Sequence, residues 1–144
     1  MNAFRSGYNC AQAVVLAFKD ELELDEKTLL MLASSFGGGM GRLREVCGAV
    51  TGMFIVAGLK YGYLSPDDGK GKAVHYERIQ ALAADFREKN GSIVCRELLG
   101  LEVKRDNPVP EERTPAYYKK RPCVELVGDA AEIIAKYISE NDGE

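Results

Sequence analysis

Four cysteines, Cys10, Cys47, Cys95 and Cys123, are the residues of this 144-residue chain whose type points most directly to chemistry. A thiolate attacks disulfides and binds soft metals, and a domain of this size needs neither to be stable. The cysteines lie 37, 48 and 28 residues apart, so none forms a C-x-x-C pair, and local zinc-finger and thioredoxin signatures are absent. Each falls in the first turn or two of a predicted helix and is followed by apolar residues three or four positions on: Ala13 and Val14, Val50, Leu98 and Leu99, and Val127 respectively. That points all four inward near helix N termini, whose partial positive charge favours the thiolate. The effect fades within a turn and so helps Cys10, Cys95 and Cys123 more than Cys47. Arg96 beside Cys95, and Lys119, Lys120 and Arg121 before Cys123, push in the same direction. The plain alternative is packing, because free cysteine is among the most buried residue types.

Just before Cys47 stands Phe36-Gly37-Gly38-Gly39-Met40-Gly41-Arg42-Leu43-Arg44. A glycine-rich turn exposes backbone N–H groups, so Gly38, Gly39, Gly41 and Arg42 are candidates for holding an anion, with a simple turn between packed helices as the alternative. It is neither a dinucleotide fingerprint, since no strand precedes it, nor a Walker sequence. His75, the only histidine, borders an apolar helix face; a structural role is the ordinary reading, and metal ligand or base the other. No Gly-x-Ser-x-Gly elbow is present. Tyr117 and Tyr118 read as loop packing.

The elements that must position these groups are helical. Apolar spacing predicts helices over Tyr8–Leu22 with Asn9 as cap, Glu26–Phe36, Leu43–Tyr61, from the Ser65-Pro66-Asp67 cap to Asn90, over Ile93–Leu99, and from Pro122 onward. Gly48 and Gly52 share a face of the third, which suits close helix contact. Between the last two helices, Leu101 to Arg121 carries Pro108, Pro110 and Pro115 with no period, a long connection expected to act as a lid. No alternating strand pattern appears. The expected fold is all-α, a single domain over residues 1–144 built as a bundle of five to six helices. An up-and-down path puts Cys10, Cys47 and Cys95 at one end, and the long connection lets Cys123 join them.

Composition closes off other classes. With 46% hydrophobic and 28% charged residues the chain matches ordinary globular proteins, and a net charge of −3 argues against nucleic acid as a partner. The longest apolar stretch, Val46–Leu59, is too short to span a bilayer. Met1 to Tyr8 has no apolar run, which reads as a cytoplasmic chain without a secretory signal, and a reducing compartment shifts cysteines from permanent disulfides toward redox, metal or packing roles.

Taken together, Asn9-Cys10-Ala11, Phe36-Gly37-Gly38-Gly39-Met40-Gly41, Cys47-Gly48-Ala49-Val50-Thr51-Gly52, Cys95-Arg96-Glu97-Leu98-Leu99-Gly100 and Cys123 resemble the C-GCAxxG-C-C family, named as redox-active proteins. The resemblance runs from Cys10 to the last helix; Val46 stands where the family label writes glycine. It implies a bacterial or archaeal soluble redox protein and brings no substrate with it. The first expectation is therefore a cysteine pair cycling between dithiol and disulfide, with Cys47 attacking and Cys95 and Cys123 as the preferred pair, needing no cofactor and acting on an unidentified redox partner or small molecule. A zinc or iron–sulfur site made by the four cysteines, with His75 as a further ligand, is the second. A non-catalytic interaction bundle with packed cysteines is the third.

Overall fold

Asn9 sets the start of the first long helix. Its side chain accepts from the Gln12 N–H at 2.8 Å, and the Gln12 side chain accepts from the Asn9 N–H at 3.1 Å, a reciprocal cap that makes Cys10 the first helical residue. The computed structural model describes residues 2–101 and 106–141. In chain order the helices are α1 (Asn2–Arg5), α2 (Cys10–Ala17), α3 (Glu26–Ala33), a 3-10 turn (Ser34–Phe36), the single turn α4 (Gly37–Met40), α5 (Gly48–Tyr61), α6 (Gly69–Asn90), α7 (Cys95–Leu98), α8 (Pro115–Lys120) and α9 (Cys123–Asn141). The fold is all-α, and among the described residues the sole β-type pairing is an isolated bridge between Val46 and Val94. No helix of the described residues is long and apolar enough to cross a membrane.

Helix α2 packs most extensively on α5, and α9 covers both. Two of the three glycines of α5 make the first contact possible: a Cβ on Gly52 would stand 2.9 Å from both the Ala11 carbonyl oxygen and the Val14 Cβ, and one on Gly48 would stand 3.1 Å from the Cys10 Cβ and 2.8 Å from the Phe36 carbonyl oxygen. Ala11, Val14, Val50, Met53, Val127, Ala130 and Ile134 fill the resulting core, with Phe86 and Leu82 of α6 and Phe4 of α1 closing it. The apolar face anticipated for α9 is the face it buries.

Several boundaries differ from expectation. Helix α2 stops at Ala17 rather than Leu22, where Asp20 and Glu21 would place negative charge at the negative end of the helix dipole. The helix expected from Leu43 begins only at Gly48, because Arg42 and Arg44 have φ of +66° and +59°, values that no right-handed helix accommodates. Helix α6 begins at Gly69 with Asp68 as its cap, and Ser65-Pro66-Asp67 forms the preceding turn instead. The connection expected to be structureless contains α8, capped by Thr114 with Pro115 in its first turn.

Candidate functional site

The four cysteines occupy equivalent local positions and converge. Cys10, Cys95 and Cys123 each open a helix, and Cys47 is the N-cap residue of α5. All four are buried, with free thiols, and all line one cavity of about 410 Å³. Two elements fix the Cys47 and Cys95 wall: the Cys47 N–H donates to the Ile93 carbonyl at 2.8 Å, and the Cys95 N–H donates to the Glu45 carbonyl at 2.5 Å. These hydrogen bonds flank the Val46–Val94 bridge.

The glycine turn presses against this wall. Residues Gly38, Gly39, Met40, Gly41 and Arg42 all have φ between +61° and +71°, a left-handed turn that L side chains disfavour by roughly 1–2 kcal/mol per residue. Gly39 has a second reason to be glycine, since its Cβ would lie 2.6 Å from the Cys95 Cβ and 2.8 Å from the Glu45 nitrogen. Gly39→Ala is accordingly expected to destabilise the protein by about 2–4 kcal/mol, from forced left-handed backbone and overpacking together. In a thermal melt that is a midpoint lower by roughly 5–15 °C for a chain of this size. An unchanged midpoint would show that the turn does not press on Cys95.

The opposite wall comes from the connection before α9. From Asp106 onward it is tied to the rest of the fold: Arg42 and Arg44 hold the Asp106 carboxylate at 3.0 and 2.9 Å, and Arg121 holds Glu111 at 2.6 Å. Arg113 donates to the Phe4 and Tyr8 carbonyls and lies 4.0 Å over the Phe4 ring. Pro108, Pro110, Glu111, Arg113 and Tyr117 thereby face the cavity beside the sulfurs. The same ion pairs hold the Asp106 and Glu111 carboxyls below the usual carboxylate range, through Arg44 and Arg121 respectively.

The four thiols are not electrostatically equivalent. Burial pushes Cys47 up to about 12, although the N–H groups of Ala49 and Val50 pull the other way. Burial also raises Cys95, against the Arg44 guanidinium whose Nη1 donates to its sulfur at 3.7 Å. Cys123 alone is lowered, to about 7: hydrogen bonding from the Cys10 thiol is the largest cause, assisted by Tyr117, Arg121 and Arg44 against the penalty of burial. Cys10 moves up correspondingly, first through its hydrogen bond to Cys123 and then through burial. Tyr117 is raised too, by burial and by the nearby Cys123 and Cys10. The helix-terminus argument, which favoured Cys10, Cys95 and Cys123 over Cys47, thus agrees with the direction at Cys123 alone: desolvation outweighs it at Cys95 and at Cys47, and the hydrogen bond to Cys123 followed by burial outweighs it at Cys10.

Gly38, Gly39, Gly41 and Arg42 line the cavity with the cysteines, and His75 does not. His75 lies on α6 with its Nδ1 3.0 Å from Arg78 Nη1, and burial and that guanidinium lower its pKa. Among the described residues, no three of His, Cys, Asp or Glu form a group able to hold a metal ion. Tyr117 packs as anticipated but also contacts Cys123, and Asp106, Glu111 and Arg113 enter the site with no prior signal except their place in a proline-punctuated charged segment. The side chains of Lys119 and Lys120, expected to act on Cys123, lie outside the described residues.

Fold and site define a class: an all-α thiol protein whose free cysteines are gathered around one cavity. The particular family follows from the sequence pattern, because the family described as "Putative redox-active protein (C_GCAxxG_C_C)" matches residues 8–137, nearly the whole chain, and the protein belongs to it. No curated protein and no solved structure matches the chain.

Proposed function

We propose that this redox-active protein works through a Cys10–Cys123 couple that cycles between dithiol and disulfide, with Cys123 as the attacking thiolate. The observation that carries this reading is the hydrogen bond between Cys10 and Cys123, two thiols that open α2 and α9 and line the same cavity, with Tyr117 and Arg121 beside Cys123 to favour the anion on that sulfur. This revises the pairing of Cys123 with Cys95 and the choice of Cys47 as nucleophile, since a thiol pushed up to about 12 is almost wholly protonated near neutrality.

The chemistry is balanced within the pair and a disulfide substrate. Cys123 Sγ attacks one sulfur of the substrate, the substrate S–S bond breaks, and the first half leaves as a thiolate. With the negative charge on Cys123 gone, Cys10 no longer has a reason to keep its proton and gives it to that leaving group. The Cys10 thiolate then attacks Cys123 Sγ, forming the Cys10–Cys123 bond and expelling the second half as a thiolate. Two electrons pass from protein to substrate. Tyr117 and Arg121 stabilise the Cys123 anion before it attacks. A reducing compartment such as the cytoplasm, where other thiols return the couple to dithiol, suits such a cycle.

Treatment with the thiol oxidant diamide, alkylation under denaturing conditions and peptide mapping test the pairing. The expected product is a Cys10–Cys123 cross-link with Cys47 and Cys95 recovered as alkylated thiols. A Cys95–Cys123 or Cys47–Cys95 bond as the main product would overturn the assignment.

A further inference from the structure

Three guanidinium groups crowd one side of the cavity with two carboxylates between them. Arg42 and Arg44 share a single Asp106 oxygen, and Arg121 occupies Glu111. The Arg44 and Arg121 side chains are only 5% and 7% exposed, so the cluster is a net positive charge held largely out of water. Its donors also exceed its acceptors, for the Nε atoms of Arg42 and Arg44 are buried without a partner among the described residues. Desolvated charge is retained only where something of opposite sign compensates it. Glu111 is the one acid among the described residues lining the cavity; it lies 2.6 Å from Arg121 and 3.9 and 4.0 Å from Arg44 and Arg42. The Cys123 thiolate adds a negative charge that disappears once its sulfur attacks, which leaves the cluster one net positive charge facing the bound substrate.

The sulfurs impose a second restriction. Cys10 and Cys123 are 9% and 8% exposed, which favours a small molecule able to enter the cavity over a disulfide fixed on the surface of a folded protein. A cavity of about 410 Å³ falls within the range that small-molecule sites occupy. Phe4, Leu98, Leu99 and Leu126 supply apolar lining for the carbon and sulfur of such a molecule.

We infer that the substrate of the Cys10–Cys123 couple is a low-molecular-weight disulfide bearing a carboxylate, seated with its anion toward Arg42, Arg44 and Arg121 and its S–S bond toward Cys123. The inference rests on the dithiol reading above and adds the substrate class to it. Oxidation then follows the two-step exchange already given, with the carboxylate staying on the arginine side while the two substrate thiols are released in turn.

Three disulfides of similar size and different charge test this on the intact reduced protein: 3,3′-dithiodipropionate, bis(2-hydroxyethyl) disulfide and cystamine. The readout is the rate of Cys10–Cys123 bond formation by mass spectrometry, each rate divided by that of a free small thiol with the same disulfide. The expected order is anionic, neutral, cationic, with the anionic probe favoured over the neutral one by about tenfold at low salt, in keeping with a focused positive potential. That ratio should fall toward unity in Arg42→Gln, and in the unsubstituted protein it should shrink as salt rises. Equal normalised rates for all three probes overturn the substrate class and leave the couple standing. So does oxidation by a protein disulfide but by none of the small ones. Failure of every probe and of diamide to join Cys10 to Cys123 removes the underlying couple instead.

Discussion

Serine in place of Cys123 is expected to slow oxidation of the protein by disulfides by at least about 100-fold, because it removes the one sulfur that is substantially ionised near neutrality. Cys123 is lowered to about 7 whereas Cys47 is raised to about 12, so the remaining thiols do not take over its role. The companion variant Cys10→Ala separates nucleophile from resolving thiol. It should still react with a disulfide but stop at a mixed disulfide on Cys123, visible as a persistent mass addition. It should also move the pH midpoint of Cys123 alkylation upward from about 7, since the Cys10 hydrogen bond is the largest influence holding it down. Below the wild-type midpoint both proteins react slowly; between the two midpoints the variant is the slower; well above both they converge. A midpoint that stays in place would show that Cys10 does not set the Cys123 ionisation, and rapid resolution in Cys10→Ala would assign the resolving role to Cys47 or Cys95.

The sequence made the architecture legible wherever apolar spacing decides it. Helix α9 is the clear case: Val127, Ala130, Ile134 and Ile138 follow Cys123 at helical intervals and are buried in that arrangement. Asn9 was legible as the cap of α2, and the structure adds its reciprocal hydrogen bond with Gln12, a local device that needs no tertiary information. What stayed hidden was set by non-local packing. Nothing local announces that Arg42 and Arg44 adopt left-handed backbone, because that conformation is held by Asp106, sixty-odd residues away in sequence, and by the pairing of Val46 with Val94. Consequently the start of α5 moves to Gly48, and Cys47 becomes a cap instead of a residue inside the helix. The ranking of the thiols was equally out of reach. Helix position is a property of sequence, but desolvation and the Cys10–Cys123 contact exist only once four separate helix starts have met. Tyr117 illustrates the same limit: an aromatic in a connecting segment reads as packing until the segment is folded over Cys123.

Arg44 is where fold and chemistry are joined, and replacing it by methionine tests that junction. The residue is 4% exposed, donates to Asp106 Oδ2 at 2.9 Å and to Cys95 Sγ at 3.7 Å, and its carbonyl accepts from the Arg96 N–H at 3.3 Å. Removing one partner of a buried ion pair typically destabilises by 3–5 kcal/mol, but Arg42 continues to hold Asp106, so about 2–3 kcal/mol is expected for Arg44→Met. Methionine is close in length and leaves the backbone strain at φ +59° unchanged, which confines the effect to charge and hydrogen bonding. Two chemical consequences should accompany the loss of stability. Cys95 loses the main influence opposing its burial and becomes less reactive still, while Cys123 loses one of its supporting cations and alkylates with a midpoint above about 7. Arg44→Lys should recover part of the charge effect on Cys123 without restoring stability, because one ammonium does not reproduce a planar fork that reaches a carboxylate and a thiol at once. If Arg44→Met is as stable as the parent and the Cys123 midpoint does not rise, the guanidinium cluster neither pins the connection over the cavity nor tunes the thiol beneath it. Stability lost with the midpoint unchanged would separate the two roles, leaving Arg44 as a clamp on the Asp106 segment and Arg121 with Tyr117 as the groups that stabilise the thiolate.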